Sequence, residues 1–356
     1  MANVRMMRAV LKANPGPGLE LREVPVPEIG QGDVLIRVVA ASICGTDVHI
    51  YEWDDWSAQR IRPPVVLGHE FAGVVEAIGP GVADLQVGTP VSAEGHILAP
   101  GAGNVVAGQE HLARDVEVIG IDRDGAFAEY VAVPRRNVWV NPADMPPEVA
   151  SLQDPFGNAV HTVFAHDVAG QTVLVTGVGL IGLMAVAVAR AAGARLVIAT
   201  DVNSARLQTA MTMGANVTID ARGDVAAEVS DLTGGMGADI LLEMSGAGPA
   251  ITQGLEALRP GGRAAALGLP AGPVDLDWAT LVVLKGITLK GIYGRRMWDT
   301  WHRARGLLES GAVDLRPLIT HQFPLAAYDD AFAVMLSGAG GKVILRPRQD
   351  QEGGTE

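Results

Sequence analysis

Two rhythms of apolar and polar positions divide the chain near residue 170. Before that point, short apolar and β-branched runs alternate with turn residues. Residues 33–40 and 71–78 are such runs, bounded by Gln31-Gly32 and by Gly79-Pro80-Gly81, and residues 126–133 alternate more clearly. The pattern predicts an all-β, partly open, barrel-like domain. The connection 42–67 hangs off it, and loops of that length are usually functional. From Gly170 onward strands alternate with helices. Strands are expected over 172–176, 195–200, 217–219, 238–243, 263–268 and 287–292, with helices over 181–192, 204–213, 224–232 and 249–258. Alternation of this kind predicts a parallel sheet covered on both faces, and six strands suit a doubly wound dinucleotide fold. After Tyr293 come helices over 299–309 and 326–336 and a last strand over 342–345. These are too few for a third domain, so residues 294–356 are expected to return and complete the first one, ending in a mobile tail from Arg346. The expected division is 1–155, 156–293 and 294–356.

Composition narrows the class. Apolar residues make up 48% and charged residues 19% of the 356 positions, which suits a well-buried globular protein and argues against disorder. A net charge of -13 without a run of Lys or Arg offers nothing to nucleic acid. One cysteine excludes an internal disulfide and suits a reducing, cytoplasmic compartment. The opening MANVRMMRAVLKANPG contains no apolar core for a signal peptide. Residues 173–189 imitate a membrane span, but Gly177, Gly179 and Gly182 interrupt them and Arg190 ends them. A buried strand, a turn and a buried helix account for that stretch without a bilayer.

That same stretch carries a cofactor signal. TVLVT runs into Gly177-Val178-Gly179-Leu180-Ile181-Gly182, and Asp201 ends the next expected strand. A bare GxGxxG is weak, but a strand before it, a helix after it and an acid at that distance supply the required context. Gly177 permits the tight turn, Gly179 lets the backbone approach a pyrophosphate, and Gly182 lets helix and strand pack closely. Free N–H groups at the helix start hold the phosphate charge. Asp201 is placed to accept from the adenosine ribose hydroxyls, which favours NAD over NADP. Arg206 tempers that preference, since an arginine nearby can hold a 2′-phosphate.

The second chemical signal lies in the long connection. Cys44, the one cysteine, is followed by Thr46, Asp47 and His49, and later Gly68 introduces adjacent His69 and Glu70. Thiolate, imidazole and carboxylate are ligand types of catalytic zinc sites, where three protein groups leave one position open. A hydroxyl and a second imidazole beside Cys44 suit proton transfer away from that position. Taken singly, each has a plainer role: a buried thiol, a packing histidine, a solvated acid. In a fully extended chain His69 and Glu70 would also point to opposite sides. Either a kink turns them together, or Glu70 stands behind the ligands or exchanges with substrate or water.

With these residues in view, the chain resembles the zinc-dependent medium-chain dehydrogenases. ICGTDVH, GHEFAGVVEAIGPGV and TGVGLIG carry the general pattern; YEWDDWSAQRIRPP, QDPFGNAVHT and GIYGRRMWDTW match the threonine-oxidising branch. The likeness runs over residues 7–345. It implies an α/β architecture: a GroES-like, β-rich catalytic domain made from both chain ends, and a Rossmann domain between them. It implies catalytic zinc on Cys44, His69 and Glu70, with Thr46 and His49 as proton relay. Asp154 falls where the family keeps an acid beside the metal, and His96 would face substrate. Ile181, Asp201, Arg206, Leu267, Gly268, Leu269, Ile292 and Tyr293 match its NAD contacts, joined by Arg295. The family's second, structural zinc uses four cysteines, whose positions here are Ala99, Ala102, Val105 and Ala113. Apolar side chains cannot ligate a metal, so one zinc per chain is expected and the lobe is expected to be more mobile.

The implied activity is oxidation of the L-threonine hydroxyl to 2-amino-3-oxobutanoate by NAD, in a homotetramer with no nucleic-acid or membrane partner. A zinc dehydrogenase of diols or polyols, such as 2,3-butanediol or sorbitol, is the near alternative; a non-catalytic NAD-binding protein is the remote one. For the substrate carboxylate the available cations are Arg60, Arg62, Arg295 and Arg296. For its ammonium the available acceptors are Asp47, Asp54 and Glu94.

Overall fold

The computed structural model describes residues 4–99, 101–103, 105–106, 108–338 and 340–348. It begins with strands β1 (Met6–Lys12), β2 (Glu20–Pro25) and β3 (Asp33–Ser42), helices α1 (Gly45–Glu52) and α2 (Asp55–Arg60), and strands β4 (Val65–Val66) and β5 (Glu70–Ile78). Next come β6 (Pro90–Ala93), β7 (His96–Leu98), β8 (Val116–Val118), β9 (Tyr130–Pro134), β10 (Val138–Val140), α3 (Pro147–Ala150) and α4 (Gln153–Val163). The central run is β11 (Thr172–Thr176), α5 (Leu180–Ala191), β12 (Leu196–Asp201), α6 (Ser204–Thr212), β13 (Val217–Asp220), α7 (Val225–Leu232), β14 (Ala238–Glu243), α8 (Gly248–Ala257), β15 (Leu258–Ala266) and β16 (Thr288–Gly291). It closes with α9 (Asp299–Glu309), β17 (Ile319–Pro324), α10 (Tyr328–Ser337) and β18 (Lys342–Arg346).

Two compact units result: Met1–Asp154 with Leu315–Glu356, and Pro155–Asp314. The return to the first unit therefore starts at Leu315 rather than at residue 294. Helix α9 explains the difference. It buries Thr300, Trp301 and Ala304, and Arg303 lies over the Phe164 ring at 5.0 Å, so it packs within the second unit. The expected tail also begins later, because Arg346 ends β18 and donates to Gln322 and Glu148; residues 349–356 lie outside the described residues.

In the first unit β3 is the organising strand. Val34, Ile36 and Val38 are buried in a core with Val10, Phe71, Val91, Phe127, Phe332 and Val343. On one edge β3 pairs antiparallel with β5, from Val34↔Ile78 to Ser42↔Glu70. On the other it pairs with β9 and, through Ala41 and Ser42, with β18 from the far end of the chain. The register of β3 and β5 shifts between Val38 and Ala40, a bulge of the kind that re-aims side chains near a site. The unit is β-rich rather than all-β: the connection expected to be a loop holds α1 and α2, and α10 packs on the same core.

The second unit is a six-stranded parallel sheet in the order β13-β12-β11-β14-β15-β16, the doubly wound arrangement. Its inner strands β11, β12 and β14 are buried along nearly their whole length, as strands covered on both faces are, whereas the edge strand β16 is exposed. Leu174, Ile198, Ile219, Leu241 and Ala264 form one side of the core with Val229, Leu255 and Leu281.

Candidate active site

The site in the first unit is assembled where β3 ends. Cys44 follows Ser42 by two residues and is the N-cap of α1 in extended conformation (φ -97°, ψ 160°). The Asp47 carboxylate accepts from the Cys44 N–H at 2.9 Å, so the helix start is tied to the cysteine backbone. Gly68 takes φ +92°, and a Cβ there would stand 2.4 Å from the Phe127 ring. Only glycine fits both demands. The kink sits directly before His69, and β5 begins at Glu70. Whatever the alternation along the strand, the His69 and Glu70 side chains both reach Cys44. One ligand atom each from Cys44, His69 and Glu70 lies within 4.8 Å of the others. This is the one such group among the described residues. Asp154, on the first turn of α4, is buried but outside it.

The surroundings hold these groups in place. Asp47 is fully buried and its Oδ1 faces His69 Nδ1 at 3.8 Å. Lys342, also buried, donates to Ile43 O at 2.9 Å and pairs with Glu70 Oε2, which accepts from Ser42 Oγ as well. The pairing of Ser42 with both Glu70 and Ile344 brings these three side chains together. Burial would raise the Glu70 carboxyl, but Lys342 and His69 outweigh it and the net direction is down. For Asp47 burial dominates and the direction is up. Burial opposes charge on His69, yet Asp47 above all, then Cys44 and Glu70, push its imidazole up to about 10. A pocket this anionic favours a cation. At about pH 8 the imidazole of the metal-free protein carries a proton that a metal must displace. Zinc titrated into that protein is expected to release it, seen as a binding heat that changes with the ionisation enthalpy of the buffer. Heat independent of buffer would remove His69 from the ligand set.

Thr46 is on the first turn of α1, its Oγ1 3.7 Å from Cys44 Sγ. His49 stands exposed on the last turn of that helix, with Nδ1 2.8 Å from Asp54 Oδ2. His96, on β7, is held at its own N–H and at Nδ1 by Glu94 Oε1, at 3.0 and 2.8 Å. The three acids expected as ammonium acceptors thus have local partners: Asp47 at Cys44, Asp54 at His49 and Ser57, Glu94 at His96. Of the expected cations, Arg60 pairs with Asp122 and Arg62 donates to Ile61 O. Arg295 is buried against Gly157 and donates to Asn158 Oδ1 at 3.2 Å, while His161 Nδ1 bonds to Gly294 O. The segments around α4 and around residue 294 therefore hold one another.

The lobe that lacks cysteines is a two-stranded antiparallel pair, β7 with β8, whose connection contains a turn of 3-10 helix at Glu110–Leu112. The Ala99 N–H donates to Asp115 O and the Ala113 N–H to Glu110 O. Backbone hydrogen bonds shape the segment, and Ala99, Ala102, Val105 and Ala113 offer no ligand atom.

In the second unit most of the residues expected to contact the nucleotide lie at or just beyond the carboxyl ends of the strands, where such folds place their ligands. Gly177 has φ +79°, and a Cβ there would strike Ser245 at 2.4 Å. A Cβ on Gly182 would meet Gly177 O at 2.1 Å, whereas one on Gly179 would enter open space, the room a diphosphate needs. Gly179 is the N-cap of α5, and Ile181 lies in its first turn. Asp201 ends β12 and accepts from Val178 N and Asn203 N; Arg206 lies 3.9 Å from it. Leu267 and Gly268 follow β15, with Gly268 too close to Gly246 N for any side chain. Leu269 and Tyr293 are exposed beside buried Ile292. Sequence reasoning missed Ser42, Lys342 and Glu243. Glu243 ends β14 and its Oε1 accepts from Ser245 N and Gly246 N, shaping the turn against which Gly177 packs. Lys342 did leave a trace, as a lone charge at the head of an apolar strand.

Comparison with known proteins places both units. The model of the zinc-binding dehydrogenase family matches residues 181–310, and that of the alcohol dehydrogenase GroES-like domain matches residues 30–147. An L-threonine 3-dehydrogenase of Bacillus subtilis is 52% identical over 342 residues, covering 96% of this chain and 99% of the relative. One of Symbiobacterium thermophilum is 51% identical over 343 residues, covering 96% and 98%. Among solved structures, a putative zinc-binding dehydrogenase from Sinorhizobium meliloti bound to NADP superposes with a TM-score of 0.89 at 30% identity, covering 96% and 100% of the two chains.

Proposed function

Because the chain belongs to the zinc-binding dehydrogenase family, we propose that it oxidises the side-chain hydroxyl of L-threonine to 2-amino-3-oxobutanoate with NAD as hydride acceptor. The observation that carries this is the convergence of a thiol, an imidazole and a carboxylate within 4.8 Å of one another. The donor set fits zinc, and Cys44, His69 and Glu70 would hold it. When bound, zinc supplies Lewis acidity toward the substrate hydroxyl and the nicotinamide ring accepts the hydride.

The chain's own residues do the rest. The Asp47 carboxylate lies 3.8 Å from His69 Nδ1, an ionic neighbour of the ring beyond hydrogen-bond distance. Lys342 and Ser42 hold the Glu70 carboxylate. Thr46 Oγ1, next to Cys44, takes up the hydroxyl proton in a relay that ends on exposed His49. Gly179 and the first turn of α5 accommodate the pyrophosphate, and Asp201 disfavours a 2′-phosphate by charge, with Arg206 beside it offsetting part of that effect. The first unit is then the catalytic domain and the second the nucleotide domain.

The test is metal analysis joined to an NAD-linked assay. Dialysed protein is expected to contain one zinc per chain, since the lobe at Ala99–Ala113 lacks ligands; two would overturn that. Turnover per KM on L-threonine is expected to exceed that on 2,3-butanediol or sorbitol by on the order of 10²-fold. The reverse order would make it a diol or polyol dehydrogenase. The same reading carries a homotetramer in a reducing, cytoplasmic setting, checked by light scattering and fractionation. No helix among the described residues is long and apolar enough to cross a membrane.

A further inference from the structure

We propose that Asp54 is a positioning residue that holds the His49 ring with Nδ1 protonated and leaves Nε2 as its proton-accepting atom. Its effect on turnover rests on the reading of His49 as the end of the relay; its effect on the ring does not.

The geometry begins with the end of α1. Trp53 adopts the left-handed conformation (φ 60°, ψ 50°), and the N–H groups of Trp53 and Asp54 both close on His49 O, at 2.9 and 3.4 Å. This reversal carries Asp54 back alongside a histidine five residues earlier. Asp54 then divides its carboxylate. Oδ1 accepts from Ser57 N at 2.8 Å and caps α2, while Oδ2 meets His49 Nδ1 at 2.8 Å. Because one oxygen is tied to α2, the other is held where the ring edge lies. The Ser57 N–H, and His49 after it, keep the carboxyl below its usual range. An ionised carboxylate is an acceptor only, so the ring must donate at Nδ1 and the neutral imidazole keeps its lone pair on Nε2. The Trp56 ring stands edge-on to the imidazole, with centroids 6.5 Å apart.

Asp54 is the charged group that faces this ring among the described contacts; from α2 the facing group is the uncharged Trp56. Helix α10 meets α1 elsewhere, through Phe332 stacked on Tyr51 at 4.9 Å. Tyr51 lies two residues on from His49 and so on the opposite face of the helix. The His49 side chain is 61% exposed, which lets Nε2 exchange its proton with water.

Asp54→Asn isolates the effect. The asparagine carbonyl caps α2 as well as aspartate does. Its amide NH₂ is then the group facing Nδ1, and a donor there favours the other tautomer. Imidazole nitrogen shifts of the full-length, ¹⁵N-histidine-labelled protein report this directly, with His49→Gln identifying the resonance. Protonated Nδ1 is expected in the parent protein and protonated Nε2 in Asp54→Asn. The relay then predicts a fall in kcat of roughly 10- to 100-fold near neutral pH with KM unchanged, and no further loss when His49→Gln is added. A parent ring protonated at Nε2, or a tautomer unmoved by Asp54→Asn, would overturn the inference. A tautomer that reverses while both variants keep full turnover would support the positioning of the ring and sink the relay instead. Asp54→Ser, which keeps a cap but reaches no imidazole, is expected to give a mixture of tautomers; a ring still fixed at Nδ1 would count against Asp54.

Discussion

Cys44→Ala is expected to abolish zinc binding and lower turnover on L-threonine by at least about 10³-fold, the equivalent of the several kcal/mol a Lewis acid contributes. Cys44 supplies the one thiol of the chain, so no other sulfur can replace it. Its backbone N–H donates to the Asp47 carboxylate whatever its side chain, so the start of α1 stays tied to it. Its side chain is partly exposed, so alanine opens little cavity in the core and the far-ultraviolet circular dichroism is expected to stay unchanged. Removal leaves His69 and Glu70, too few for the three-ligand site that zinc takes. Metal content by elemental analysis and NADH formation on the same sample decide the matter. Residual turnover in a protein shown to be free of metal would dismiss the zinc assignment outright.

The second large effect concerns stability. Lys342→Met is expected to destabilise the metal-free protein by roughly 3–5 kcal/mol, the usual result of removing one member of a buried ion pair. Lys342 and Glu70 are each 1% exposed. Methionine keeps the length of the stem but brings no charge, so the Glu70 carboxylate would keep Ser42 as hydrogen-bond partner and only the His69 imidazole as a cationic neighbour. Urea unfolding of the stripped protein measures the loss. Adding Glu70→Gln to Lys342→Met is expected to recover most of it, because the unpaired charge rather than the lost contact carries the cost. Zinc would counter the same charge, so the loss is expected to shrink in the loaded protein. A change below about 1 kcal/mol in the stripped form would mean that the pair is solvated and does not lock the strands.

Legibility differed between the two units for a physical reason. The strands at 172–176 and 238–243 were readable to the residue, since a parallel strand buried on both faces is a continuous apolar run with glycine or polar residues at its ends. The helix after Gly179 was as clear. By contrast, α1 and α2 lie in GTDVHIYEWDDWSAQR, where small, aromatic and acidic residues mix without a helical stripe. Both helices are short, and α1 is held by packing on α10, Tyr51 against Phe332, more than by local propensity. The strand β17 was missed because ITHQFP is half exposed and broken by polar residues.

The amino-acid sequence by itself determined the ligand types, the glycine turn with its acid at Asp201 and the change of rhythm between the two units. Each follows from residue chemistry or from spacing along one segment. Only the tertiary structure decided that His69 and Glu70, just beyond the kink at Gly68, both converge on Cys44. It likewise decided that Asp47 and Lys342 attend those residues and that Asp54 turns back onto His49. These are relations between groups up to three hundred residues apart, set by strand register and by a left-handed turn. A one-dimensional pattern records which side chains exist, but register and closure choose which of them meet.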